Sequence, residues 1–380
     1  MNATRKPRKR ESGIGLSLSG GGYRATLFHV GSLRRLAETG VLEQVSHVSS
    51  VSGGSIVAGA LAADWVRHPT DDALQRIARL TDVLRKFCSH TIDTPTIIGG
   101  LLTPFRRVSD VLASKYDGAL FDGLLLSQLP LDRPRFTFCS TNLQTGRLVH
   151  LTRNRIVDYR IGRTALDVPL ARAVAASSAF PPFLSPVEID TRQAKWEATT
   201  YSTLTNDKRF SQRLYLTDGG AYDNMGLEPI WDKYANILVS DAGAPFVNAE
   251  RPATGWFSQL HAAFEIATDQ ARGARKRWLI DQFQRHEHDP ADGGPKGTYW
   301  GITTQIVDYE LGDALPVSRQ SITQLASMRT RLDAFNDTEQ KRLINWGYAV
   351  CDAGIRRWCS SLCRADTPKP IFPYPDQPLA

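Results

Sequence analysis

The chain has 380 residues, of which 42% are hydrophobic and 22% charged, as in an ordinary globular protein with a substantial core. No uninterrupted apolar run approaches the roughly 18–20 residues that a bilayer-spanning helix needs. The net charge of +7 is modest, and five of the first ten residues are Lys or Arg with no apolar signal segment after them. A nucleic-acid polymer is therefore not an expected partner, because the rest of the chain is close to charge balance.

The first part of the chain predicts two strand–turn–helix units. Residues Gly13–Ser19 alternate apolar and small residues as a strand does, and a helix follows over Tyr23–Thr39 with Gly40 at its C-terminus. A second strand, His47–Val51, leads directly into a helix rich in alanine and glycine, Gly53–Trp65. This rhythm predicts an α/β fold with three α/β/α layers and a mostly parallel central sheet.

The middle of the chain continues this pattern. An amphipathic helix is predicted over Asp71–Phe87. The apolar, glycine-rich segment Thr94–Phe105 is interpreted as a buried connection, with an exposed lid or membrane-contact loop as the alternative. Four further strands are predicted at Arg135–Ser140, Arg147–Thr152, Arg213–Thr217 and Ala235–Asp241. A short alanine-rich helix is predicted over Leu170–Ala179, and a polar loop or hairpin over Thr191–Gln212.

The character of the sequence changes after Asp241. A long helix is predicted over Trp256–Arg285, followed by a strand near Thr298–Asp308 and two further helices. The helix has a basic centre, which we interpret as a solvated face, with a phosphate site as the alternative: Arg272, Arg275, Lys276 and Arg277. We expect a basic, disordered tail at 1–12, a catalytic core at 13–245 and a mainly helical extension at 246–380 that packs on the core.

Three adjacent glycines lie between the first strand and its helix. Because Gly20, Gly21 and Gly22 open a helix, their backbone N–H groups can converge on one anionic oxygen. Arg24 opposes the helix dipole at the same point, which indicates a role beyond helix stability. The spacing does not fit a dinucleotide fingerprint, and no Gly-Lys-Ser/Thr follows as in a phosphate-binding loop.

Ser52 lies between the second strand and its helix. A nucleophile elbow needs small neighbours, and Ser50, Gly53 and Gly54 provide them. An ordinary N-cap serine is the alternative.

Asp218 closes a predicted strand and is followed by Gly219 and Gly220, which places a carboxylate at the functional edge of an α/β sheet. An Asp-Gly turn is the alternative interpretation.

Other reactive side chains give little signal. None of the eight histidines is in a recognisable triad setting, and His286 and His288 are expected in a polar surface loop. The five scattered cysteines fit reduced thiols in a cytoplasmic protein, and Cys359 and Cys363 lack the second pair of a zinc site. No metal or cofactor is expected.

Four segments, in this order, make the chain similar to the patatin-like phospholipases of bacterial type: Gly20–Arg24, Ser50–Gly54, Ala175–Pro182 and Asp218–Asn224. The resemblance implies a Ser–Asp dyad, with Ser52 as nucleophile and Asp218 as general base. It further implies an oxyanion hole from the amides of the glycine run and Gly53, with Arg24, Gly54, Gly219 and Gly220 in support. The chain departs from the family's Gly-x-Ser-x-Gly at Ser50, and the resemblance does not extend beyond about Asp241.

The resemblance predicts a phospholipase A-type acyl hydrolase that cleaves acyl esters of membrane phospholipids. We expect it in the cytoplasm and peripheral at the inner membrane, with partial burial raising the pKa of Asp218. A soluble carboxylesterase or thioesterase stays open. A bacterial anti-phage effector that a cyclic nucleotide switches on is a further alternative. The chain could also form a homo-oligomer.

Overall fold

The computed structural model describes residues 10–96, 107–132, 134–252, 254–289 and 294–380. Most of the predicted tail at 1–12 therefore lies outside the described residues. The same is true of the predicted connection or lid, Thr94–Phe105, beyond its first three residues.

The centre of the fold is an 11-stranded mixed sheet. Its strands are β1 (Glu11–Leu18), β2 (Val45–Ser50), β3 (Arg135–Asn142), β4 (Arg147–Thr152), β5 (Ile156–Asp158), β6 (Gly162–Thr164), β7 (Val187–Asp190), β8 (Trp196–Glu197), β9 (Arg213–Asp218), β10 (Tyr234–Asp241) and β11 (Lys296–Gly301). The parallel half runs β11-β10-β1-β2-β3, and β4, β5, β6 and β8 extend it in antiparallel fashion.

One edge of β3 is shared by two strands. Its first half pairs in parallel with β2, ending at Ser50 opposite Phe138. Its last residues pair in antiparallel fashion with β9, which ends at Asp218 opposite Ser140. Because β2 and β9 run toward each other along this edge, their carboxyl ends meet.

Helices cover both faces of the sheet. They are α1 (Gly22–Glu38), α2 (Gly53–Arg67), α3 (Ala73–Cys88), α4 (Val108–Tyr116), α5 (Leu170–Ser178), α6 (Lys208–Ser211), α7 (Gly220–Asp223), α8 (Trp256–His288), α9 (Arg319–Ala326) and α10 (Asp337–Trp358). Leu238 of β10 belongs to the large core that includes residues of α1 and α10, whereas its neighbours Ile237 and Val239 pack with Leu279 of α8. The predicted three-layer α/β/α architecture is confirmed.

The C-terminal region is built into this core. Strand β11 extends the sheet beside β10, and α10 packs against α1. The two helices approach closely at two glycines: a Cβ on Gly31 would overlap the carbonyl oxygen of Ile344, and one on Gly347 would overlap that of Phe28. The division at residue 245 stays a prediction.

The structure corrects three local predictions. His286 and His288 lie in the last turns of α8 and not in a loop. The polar segment Thr191–Gln212 contains β8 and α6. The strand predicted near Thr298–Asp308 is β11, and a 3-10 turn, Ile306–Tyr309, follows it. Helix α8 is longer than predicted because its C-terminal turns contain polar residues that periodicity does not detect.

Replacing Gly347 should separate α10 from α1. We expect Gly347→Ala to reduce the free energy of unfolding by about 1–3 kcal/mol, because the new methyl overlaps a backbone carbonyl that cannot move alone. Thermal unfolding followed by circular dichroism measures the effect. Gly312→Ala is the matched control, because a Cβ there meets no atom within 4 Å. Equal midpoints for the two variants would contradict the packing argument.

Candidate active site

Ser52 occupies a strained turn between β2 and α2. Its φ of 52° and ψ of −119° lie outside the regions that non-glycine residues ordinarily adopt. The turn is fixed by the Ser52 amide, which donates to the carbonyl and the hydroxyl oxygen of Ser177, at 3.1 Å each. On the other side, Gly54 packs so tightly on the Leu18 carbonyl that no side chain fits.

Ser50 occupies the position of the first glycine in the family's Gly-x-Ser-x-Gly motif, and its buried hydroxyl has hydrogen-bonding partners. Its Oγ lies 2.9 Å from Ser55 Oγ, which in turn lies 2.8 Å from Ser177 Oγ. Ser177 donates to the carbonyl oxygen of Cys139 at 2.6 Å, so the buried chain ends on β3. This serine network is what the sequence reasoning missed; the only signal was Ser177 inside the segment Ala175–Pro182.

Asp218 lies at the carboxyl end of β9 and is 4% exposed. Its Oδ1 accepts the Gly220 amide at 2.7 Å, and its own amide donates to the Ala179 carbonyl at 3.0 Å. Burial raises the pKa of the carboxyl to about 6, although hydrogen bonds from the Gly220 amide and the Ser52 side chain favour the ionised form. The Ser52 side chain is thus close enough to the Asp218 carboxyl to favour its ionised form, although the two residues come from distant parts of the sequence.

The three glycines of the run have different roles in the structure. The Gly20 amide donates to the Asn224 carbonyl at 2.9 Å. The prediction that this amide binds an oxyanion is therefore wrong. The amides of Gly21, Gly22 and Gly53 donate to no group in the described part of the chain. Gly22 and Gly53 touch, because a Cβ on Gly53 would overlap the Gly22 backbone, so the N-termini of α1 and α2 lie side by side next to Ser52.

Arg24 is buried, and its guanidinium binds backbone carbonyl oxygens of the C-terminal region. It donates to the carbonyl oxygens of Ala242, Ala326 and Met328 at 2.8, 2.6 and 2.9 Å. Burial and the nearby Arg272 lower its pKa to about 9. Since the Ala242 carbonyl packs against Gly21, Arg24 holds the glycine run to the C-terminal region and does not point at the reacting groups.

The hydrogen-bonding partners of the histidines in the described ranges lie away from Ser52 and Asp218. No histidine in the described ranges hydrogen-bonds to Ser52 or Asp218; the buried His29 binds Ser240 and the Ser19 carbonyl instead. Those ranges also hold no group of three or more His, Cys, Asp or Glu side chains that could bind a metal ion.

A serine on a strained strand-to-helix turn, a buried carboxyl and amides that donate to no group in the described residues form the kind of site that serine hydrolases have. The family model of the patatin-like phospholipases matches residues 16–231, and the chain belongs to that family. No curated protein sequence matches it. None of the helices in the described ranges has the length and apolar composition needed to cross a bilayer.

One solved structure supports the fold. The chain is similar to human GIVD cytosolic phospholipase A2, at 14% identity and a TM-score of 0.53, over 90% of this chain and 61% of that one. It thus spans about three fifths of the human protein. VipD from Legionella pneumophila matches at 13% identity, over 90% of this chain and 66% of that one, with a TM-score of 0.39.

Burial of Asp218 should make the protein less stable above the pKa of this group. The folded-state pKa of about 6 exceeds the ordinary 3.8, so folding disfavours the ionised form and stability falls as the pH rises from about 4 to above 6. Asp218→Asn should therefore increase the free energy of unfolding at pH 8 by about 1–3 kcal/mol, and have little effect near pH 4. Thermal unfolding at both pH values tests this.

The exposed Asp366 offers the matched control, because Asp366→Asn removes a carboxylate that is in solvent. A pH-independent difference between Asp218→Asn and the native chain would contradict the raised pKa.

Proposed function

We propose that this protein is a phospholipase A-type lipid acyl hydrolase, with Ser52 as nucleophile and Asp218 as general base. The observation that carries the proposal is the buried Asp218 carboxyl next to the side chain of Ser52 in its strained turn, beside the N-termini of α1 and α2. The amides of Gly21, Gly22 and Gly53 are the proposed oxyanion hole, without Gly20.

The proposed mechanism has two steps. Ionised Asp218 accepts the Ser52 proton as the hydroxyl oxygen attacks the ester carbonyl, and the amides stabilise the tetrahedral oxyanion. Collapse expels the lyso-lipid alkoxide, which takes the proton from Asp218, and leaves an acyl-serine. Asp218 then activates a water that hydrolyses this ester. A carboxylate with a pKa of about 6 is a stronger base than an ordinary aspartate and is still ionised at neutral pH.

Membrane phospholipid is the proposed substrate. Family membership supports an acyl ester of lipid, and peripheral association with a membrane follows from a substrate that resides in a bilayer. The exposed Phe180 and Phe183 lie close in the chain to Ala179, which binds the Asp218 amide. Exposed aromatic side chains beside the proposed dyad favour a lipid surface over a soluble ester as the substrate.

Two of the four cations at the basic centre of α8, where a phosphate site was the alternative, are paired with carboxylates. Arg272 donates to the buried carboxylate of Asp241 at 2.8 Å, and Arg275 lies 3.7 Å from Asp223. These two cations anchor the helix to the sheet, so we do not extend the proposal to nucleotide control.

Removal of the proposed nucleophile tests the assignment. Ser52→Ala should reduce hydrolysis by on the order of 10³-fold or more, because no other group takes over the attack. Lipid mass spectrometry after incubation with mixed phospholipid vesicles measures the release of fatty acid and lyso-lipid, and a short-chain ester measures the reaction on a soluble substrate. Ser114→Ala on α4 is the control and should retain activity on both. Undiminished hydrolysis by Ser52→Ala would sink the assignment, whereas activity on the soluble ester alone would favour an esterase.

The pH dependence tests the role of Asp218 as base. Because only its ionised form accepts the Ser52 proton, kcat/KM should fall below an apparent pKa near 6 and level off above it. A soluble short-chain ester is the suitable substrate, because it has no ionisable headgroup whose own titration would affect the pH profile. A flat profile between about pH 5 and pH 8 would exclude Asp218 as the base.

A further inference from the structure

Helix α8 consists of an anchored half and a projecting half. Its second half is tied to the core by the Arg272–Asp241 and Arg275–Asp223 ion pairs, and Leu279 is buried against the sheet. At the other end, Trp256 and Phe257 are 91% and 90% exposed. Large aromatic side chains this exposed at a helix end are costly in water unless another surface covers them.

Four large apolar side chains lie on one face of the projecting half. Trp256, Phe257, Leu260 and Phe264 follow helical spacing on one face, which we call the aromatic tip. No Asp, Glu, Lys or Arg occurs between Pro252 and Phe264. The tip is therefore both apolar and uncharged, a composition that suits the boundary between lipid headgroups and acyl chains.

The aromatic tip is continuous with the rim of the active site. The rings of Phe264 and Phe180 pack edge to face, with centroids 6.1 Å apart. Phe180 follows Ala179, whose carbonyl accepts the amide of the catalytic Asp218. Phe183, in the same loop, is 65% exposed, so apolar surface extends from the tip to the residues beside the dyad.

We propose that the aromatic tip, with Phe180 and Phe183, inserts into the interface of a phospholipid bilayer and holds the mouth of the active site against the lipid. This inference rests on the proposed function, because it names the surface through which that substrate is reached. A bilayer suits the tip better than a second copy of the chain. The net charge of +7, with five positive residues among the first ten, favours an anionic membrane over a second copy that carries the same charge.

Vesicle binding is the direct test. The Ser52→Ala chain, in which lipid is not consumed, is mixed with phosphatidylcholine–phosphatidylserine vesicles and sedimented. Adding Trp256→Ser and Phe257→Ser should reduce the partition coefficient by on the order of tenfold or more. The matched control carries Val307→Ser and Ile371→Ser, which remove side chains that are 74% and 69% exposed elsewhere on the molecule, and should bind like its parent.

A fluorescence experiment places the tip in the lipid. Vesicles with brominated acyl chains should quench part of the tryptophan emission of the Ser52→Ala chain. Trp256→Phe retains an apolar side chain, so the variant should still bind, but most of that quenching should be lost.

Activity separates this inference from the proposed function. With Ser52 present, the tip variant should lose on the order of tenfold in kcat/KM on vesicles and retain its activity on a monomeric short-chain ester. Inactivity of the native chain on both substrates would reject the proposed function, while tip-dependent vesicle binding would still hold.

Two results would overturn the inference. One is equal vesicle binding by the tip variant and its parent, which would assign adsorption to charge alone. The other is a native chain that is dimeric without lipid in sedimentation velocity and monomeric once the tip is changed, which would assign the surface to a second copy.

Discussion

The shared edge of β3 is the constraint on which the rest of the site depends. The carboxyl ends of β2 and β9 meet along this edge, so the turn that follows β2 and the last residue of β9 are neighbours in space. Ser52 and Asp218 come together for that reason, although 165 residues separate them. The Ser177 network then links the elbow to β3, which prevents the strained turn from relaxing.

Close backbone packing and burial determine the electrostatic environment of Ser52, where β2 and β9 meet. Gly22 and Gly53 lack side chains, so the two helix N-termini approach each other, and their first amides, which donate to no group in the described residues, lie beside Ser52. Burial raises the pKa of Asp218 and so opposes folding at neutral pH. The fold therefore gives up stability at neutral pH to keep this carboxyl buried, a loss that the large surrounding cores can sustain.

The C-terminal region completes the site, although the family match ends at residue 231. The guanidinium of Arg24 binds carbonyls at Ala242, Ala326 and Met328, and thereby fixes the glycine run against segments far along the chain. Helix α8 is anchored beside the same loops through Arg272 and Asp241. Two buried cations, Arg24 and Arg272, thus connect the glycine run to the helix that carries the aromatic tip.

The sequence by itself determined the local elements, because periodicity, glycine positions and turn residues act over a few neighbours. It therefore predicted the helices and strands around the glycine run, Ser52 and Asp218, and the three-layer fold. Only the tertiary structure decided which polar groups find partners: the Gly20 amide is taken by Asn224, Arg24 turns inward, and Arg272 and Arg275 pair with buried carboxylates. The physical reason is that hydrogen bonds and ion pairs between distant segments depend on where the folded chain places them, which no local pattern specifies.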